Sequence, residues 1–194
     1  MSAAIKIPVR MTVDEFLDWD SHDGLHYELV DGEPRAMAPA NRTHSLLQSR
    51  LVQLIGAHLD GRDSPCSAAT APGVVPGILS AYNMRVPDLA VTCSEYEREE
   101  SALSEPILIV EVLSPSNQSD TWANVWTYTT IPTIREILIV KSAMIGAELL
   151  RRRPDGAWPD HTDTIAESED LVLESIGFRI ALTELYRRTR LARK

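Results

Sequence analysis

Apolar positions along the chain repeat with two periods, and the periods sort the chain into elements. In "NRTHSLLQSRLVQLIGAHL" (41–59), Leu47, Leu51, Leu54, Ile55, His58 and Leu59 fall at helical spacing, and Asn41 precedes them as an N-cap. "MTVDEFLDWD" has Thr12 with Glu15 three residues on, a capping-box start for a short helix. "HYELVDGEPRAM" alternates about Asp31-Gly32, which predicts a tight hairpin. "ILIVEVLS" (107–114) is a nearly unbroken apolar run and predicts a central strand buried on both faces. "DLAVTC" and "IREILIV" predict further strands, and "SPSNQSDTWANVWTYTTIP" predicts a loop and then a short helix ending before Pro132.

The remaining stretches are less regular. "CSAATAPGVVPGILSAYNMRV" is rich in Gly and Pro and leaves room for one or two strands around turns, and "SEYEREESALSEP" reads as a charged surface loop. "GAELLRRRPDGAW" and "HTDTIAE" suggest a hairpin through Pro154-Asp155-Gly156, followed by "LVLESIGFRI" and a final helix, "ALTELYRRTRLA". Helices and strands alternate in a way that gives an α+β chain with one main sheet. With 194 residues, no repeat and no low-complexity linker, residues 1–194 are expected to form a single domain, with residues 145–194 as a C-terminal hairpin and helix extension.

Charge changes this picture more than composition does. Hydrophobic content of 44% and charged content of 24% are ordinary, but the net charge is −9, the wrong sign for a passive nucleic-acid binder. The excess is uneven: residues 150–194 hold nine Lys/Arg against eight Asp/Glu, so the acidity lies in residues 1–149. An acidic N-terminal part suits metal binding. The basic tracts "RRR" at 151–153 and "YRRTRLARK" at the end read most simply as solvated ends of elements. "MSAAIKIPVR" lacks the apolar stretch of a signal peptide, and no apolar run approaches the roughly 20 residues of a membrane span. Cys66 and Cys93 form no CxxC and do not look like a disulfide framework, so a reducing, cytoplasmic location is expected.

Three carboxylates stand in positions that need an explanation. Glu111 interrupts the central strand, Asp88 follows Pro87 at the start of another, and Glu28 lies within the first strand between Tyr27 and Leu29. A buried carboxylate must be hydrogen-bonded, paired with a cation, protonated or bound to a metal. Two readings stand. In one, Asp88 caps a turn and Glu111 meets an arginine such as Arg85. In the other, Asp88 and Glu111 converge with a backbone carbonyl into a hard, all-oxygen site of the kind that takes Mg²⁺ or Mn²⁺.

The motifs in order resemble a known family. "MTVDEFL", "YELVDGEPRAMAP", His44 in "NRTHSLL", "RVPDLAV" and "ILIVEVLSPSNQSD" together resemble the Uma2 (DUF820) endonucleases of the PD-(D/E)XK nuclease superfamily, over most of the chain. The resemblance implies a restriction-endonuclease-like core, a mixed sheet flanked by helices. It implies that Asp88 and Glu111 ligate Mg²⁺ or Mn²⁺ and activate water for attack on a DNA phosphodiester, that Glu28 completes the acidic cluster, and that His44 contacts substrate or orients a carboxylate. A homodimer with no membrane association is also implied.

One departure bears on catalysis. The nominal lysine two residues after Glu111 is Leu113, and the family pattern D-x-x-x-K-x-x-x-Y on the following helix reads here as Asp120, Asn124 and Tyr128. Asn124 offers a hydrogen bond where the lysine would offer a charge for the developing oxyanion. Neither Lys6 nor Lys141 can be assigned to the site from its position. Trp122 and Trp126, at i and i+4 on the same helix, are expected to pack on the core or on a second subunit. The first expectation is therefore a metal-dependent DNA endonuclease. The alternative is a catalytically weakened relative that binds DNA or protein without cutting, and a third is a hydrolase of small phosphate esters, which the charge of −9 would suit.

Overall fold

The computed structural model describes residues 10–95, 101–115 and 117–192. Lys6 and part of the charged loop after Ser94 lie outside them. The chain runs α1 (Val13–Leu17), β1 (Tyr27–Val30), β2 (Glu33–Ala36), α2 (Arg42–Asp60), β3 (Ser67–Thr70), β4 (Leu89–Thr92), β5 (Pro106–Leu113), α3 (Gln118–Tyr128), β6 (Glu136–Lys141), β7 (Ala147–Arg151), β8 (Asp163–Ile165), β9 (Asp170–Leu173), β10 (Phe178–Ala181) and α4 (Thr183–Tyr186). Six strands form the main sheet in the order β3-β4-β5-β6-β7-β8. Every pair in it is antiparallel except β5–β6, which is parallel and therefore needs a crossover; α3 supplies it. Among the described residues no helix is long and apolar enough to cross a membrane.

Side-chain parity divides the core into two layers. Leu108, Val110 and Val112 of β5 pack on the α2 side, with Leu47, Leu51, Ile55 and Leu59. Ile109 and Leu113 pack on the α3 side, with Val125, Tyr128 and Ile134. The strand alternates with a period of two, so Glu111 shares the α3 face with Ile109 and Leu113. All four helical leucines and isoleucines on the buried face of α2 are at most 3% exposed, and truncating Leu51 to Ala would cost about 2–5 kcal/mol.

Local signals act as the sequence predicts at the N-terminal half. Thr12 and Glu15 close a reciprocal capping box on α1, and the Asn41 side chain accepts the His44 N–H at the start of α2. The β1–β2 turn places Asp31 and Gly32 at φ 51° and 84°, a pair of left-handed residues that suits Asp-Gly. Asn83 clasps this turn: it accepts the Asp31 N–H at 2.9 Å and donates to the Asp31 carboxylate at 3.1 Å. A backbone bridge between Leu29 and Met84 then fastens the hairpin beside the segment that leads to Asp88.

Two expectations need correction. Ser67 pairs with Thr92 across β3–β4, so Cys66 and Cys93 lie opposite each other just beyond the ladder, and a disulfide joins them. Antiparallel pairing makes neighbours of residues 27 apart in sequence, and the cysteine argument for a reducing compartment falls. The final helix is also shorter than its pattern. α4 ends at Tyr186, where Thr189 donates both its N–H and its hydroxyl to the Tyr186 carbonyl, and a 3-10 turn over Arg190–Ala192 follows. The Pro154-Asp155-Gly156 segment does turn, with Gly156 at φ 85°, but the paired strands it links are Ala147–Arg151 and Asp163–Ile165, so β7 and β8 widen the main sheet.

Candidate active site

Asp88 sits where the chain enters β4, and each of its carboxylate oxygens is engaged. Oδ1 is 2.6 Å from His44 Nε2, and Oδ2 accepts the Val112 N–H at 2.7 Å. The Asp88 carbonyl accepts Gln48 Nε2 at 2.8 Å. His44 and Gln48 are one helical turn apart on α2, so a single helix face holds both the side chain and the backbone of Asp88.

Glu111 is 8% exposed and accepts a hydrogen bond from the Tyr128 hydroxyl at 2.8 Å. Burial holds its carboxyl well above the usual range, and the negative charges of Asp88 and Glu28 push the same way; the Tyr128 hydroxyl and the Asp88 N–H pull against them. Burial also raises the Tyr128 phenol, helped by Glu111, which keeps it a donor. Glu28 is raised by burial and by Asp120, and opposed by Arg85, by a 3.2 Å hydrogen bond from Asn124 Nδ2, and by Arg35.

The structure thus brings together all five of the sequence-predicted residues: Glu28, His44, Asp88, Glu111 and Asn124. One face of α3 carries Asp120, Asn124 and Tyr128 toward the carboxylates. Arg85 does not pair with Glu111. Its Nη1 donates to the Leu29 carbonyl at 2.8 Å, its charge acts on Glu28, and its buried Nε has no partner among the described residues. Lys141 is paired with Glu148 at 2.8 Å. Trp122 packs partly buried against the α3-side core, and Trp126 is 47% exposed.

Among the described residues no group of three or more His, Cys, Asp or Glu side chains is arranged to hold a metal ion. The donors present are the Asp88 and Glu111 carboxylates. Mg²⁺ is commonly bound by one or two carboxylates, with water and phosphate oxygens completing its shell, so the pair fits that chemistry. The repulsion that raises Glu111 is also what a divalent cation between the two would relieve.

Comparison with known proteins bears on this geometry. Residues 13–183 match the family model Uma2, described as "Putative restriction endonuclease". The chain belongs to the Uma2 family. A relative from Synechocystis sp., described as "Uncharacterized protein slr1290", is 31% identical over 180 residues, covering 92% of each chain. A crystal structure of a "putative nuclease belonging to DUF820" from Anabaena variabilis superposes with a TM-score of 0.73 at 19% identity, covering 91% of this chain and 97% of that one. That likeness establishes a shared fold.

Tyr128 stands in the motif on α3, but two groups in this Uma2 site are not evident from its motifs. Gln48 has a signal, its spacing of four from His44 on a predicted helix. Arg85 has none that separates Glu28 from Glu111 as its partner, because the Leu29–Met84 bridge that decides the matter joins segments more than fifty residues apart.

Proposed function

We propose that this Uma2 protein is a metal-dependent DNA endonuclease in which Asp88 and Glu111 hold Mg²⁺ or Mn²⁺. The observation that carries the reading is a pair of adjoining carboxylates, Asp88 at the entry to β4, where it accepts the Val112 N–H at 2.7 Å, and Glu111 in the paired β5, whose carboxyl is raised by burial and then by Asp88, with no cation partner for Glu111 among the described residues. A divalent cation bound there supplies Lewis acidity to a phosphodiester oxygen and lowers the pKa of a water. His44 fixes the orientation of Asp88, and Tyr128 fixes that of Glu111. Glu28, raised by burial, is suited to hold the proton the attacking water releases. Asn124 orients Glu28 without adding charge. Trp126 offers an exposed aromatic surface for self-association, and Trp126→Ala should move the species to monomer in light scattering; an unchanged mass would count against a dimer through this face.

The test is cleavage of plasmid and single-stranded DNA with Mg²⁺ or Mn²⁺, wild type beside Asp88→Ala and Glu111→Ala. Cleavage that requires the metal and both carboxylates supports the reading; wild-type protein that cuts neither substrate with either metal sinks it. A second reading rests on Asn124, which lacks the charge of the family lysine: a relative that binds DNA without cutting. Calorimetric metal binding that both substitutions abolish, in a wild type that does not cut, would favour it.

A further inference from the structure

A cleft of about 620 Å³ opens at the N-terminus of α2, the helix that carries His44. Arg42 lines it from α2, and Arg188 and Arg190 line it from the segment after α4. Thr43 and Ser142 add hydroxyls, and among the described residues no acidic side chain lines it. The three arginines are exposed. Of the other arginines, Arg187 and Arg50 pair with Glu184, Arg179 with Asp170 and Arg151 with Glu136, while Arg135, Arg152 and Arg153 make no ion pair among the described residues. Arg42, Arg188 and Arg190 make no ion pair among the described residues. In a chain with 28 Asp/Glu against 19 Lys/Arg, three guanidiniums gathered on one concave surface without a carboxylate are a concentration of positive charge. Their repulsion is relieved by an anion from outside, and the guanidinium fork matches phosphate geometry. The positive end of the 19-residue α2 adds to the same field.

The position matters as much as the charge. Arg42 and Thr43 immediately precede His44, which holds Asp88. Ser142 donates both its N–H and its hydroxyl to the Leu113 carbonyl at 2.9 Å, two residues beyond Glu111. The cleft is therefore tied to the carboxylate cluster through α2 on one side and β5 on the other. We propose that this cleft is a second phosphate-binding site, which grips the nucleic-acid backbone next to the carboxylate cluster. The nucleic-acid assignment rests on the endonuclease reading; the site itself rests on the three unpaired arginines. It also accounts for how a protein of net charge −9 approaches a polyanion: affinity is concentrated in one cleft, and the acidic cluster is left for a metal.

The experiment is fluorescence anisotropy with labelled duplex and single-stranded oligonucleotides in EDTA, over a series of salt concentrations. Wild type should bind with a marked salt dependence. Arg42→Ala/Arg188→Ala/Arg190→Ala should lose at least about tenfold in affinity and flatten the plot of log affinity against log salt by about 2 to 3, near 0.9 per lost contact on duplex. The triple Arg→Lys variant should retain most of the slope, and thermal melts should show all variants folded. Unchanged affinity and slope in the triple alanine variant overturns the proposal, as does wild type that binds inorganic phosphate but no oligonucleotide. The two readings fail separately. Arginine-dependent binding without cleavage in metal sinks the nuclease and keeps the cleft; cleavage with arginine-independent binding does the reverse.

Discussion

Glu111 and Glu136 are the same residue on neighbouring strands, and both are buried, yet their surroundings are opposite. Glu136 opens β6 and is 1% exposed. It accepts Arg151 Nε at 2.8 Å, the Ser175 N–H at 2.8 Å and the Glu174 N–H at 3.1 Å. Its charge is answered within the fold. Glu111, near the end of β5, has a phenol and one backbone N–H as donors, and two carboxylates as neighbours. The contrast separates architecture from a candidate site: a buried carboxylate with its own cation ties elements together, and one facing other anions is left with its carboxyl raised by burial and by its neighbours, which is what the proposed metal site rests on.

The comparison can be broken most forcefully at Glu136. Glu136→Ala leaves Arg151 with only Glu174 at 3.5 Å and the Val172 carbonyl, strips two backbone N–H groups of their acceptor, and should destabilise by about 2–4 kcal/mol in a denaturant melt, with the carboxylate cluster intact. A loss under about 1 kcal/mol would mean that Glu136 is no tie. At the other carboxylate the large effect falls on chemistry. Asp88→Asn and Glu111→Gln should lower cleavage by about 100-fold or more while melting near wild type, and cleavage within a few-fold of wild type would remove both from the catalytic assignment.

A smaller effect follows from the raised carboxyl of Glu111. Its folded-state pKa lies above its unfolded one, so the folded protein holds the extra proton. That contribution is complete below the unfolded value and is lost as pH rises through the folded one. In EDTA, Glu111→Gln should therefore be more stable than wild type by about 1 kcal/mol near pH 8, with the difference vanishing near pH 4. A difference that does not change with pH would mean that Glu111 is not titrating. Added Mg²⁺ should raise the wild-type Tm more near pH 8 than at lower pH, because proton and metal compete for the same oxygens. The smallest effect is expected at α3. Asn124→Lys places an ammonium against Glu28 and should speed cleavage by about tenfold, less than a donor with evolved surroundings gives.

Much of this contrast is legible in the chain. The capping box at Thr12, the Asp31-Gly32 turn and the amphipathic run of α2 are local signals, and the structure obeys them. The parity that turns Glu111 toward α3 can be counted along β5. What the chain conceals is long-range. Glu136 looks like any polar residue at the mouth of "IREILIV", and only the packing of 174–175 and Arg151 against it shows why it stands there. Cys66 and Cys93 become neighbours through strand register. The final helix stops early because Thr189 satisfies the Tyr186 carbonyl, a local competition that hydrophobic spacing does not register.

The face of α3 has a consequence for substitution. Asp120, Asn124 and Tyr128 are four apart, so each drifts by roughly 40° around the helix axis from the one before, and all three stay turned toward the carboxylates. Tyr128 is also part of the buried core, but Asn124 is only partly buried, so its slot can gain or lose a charge through a single-residue change with the scaffold in place. Inserting or deleting one residue within α3 rotates the face by roughly 100° and removes amide and phenol from the cluster together. Point substitution on this face thus changes the chemistry offered to the carboxylates one group at a time, while a change in helix length changes it all at once.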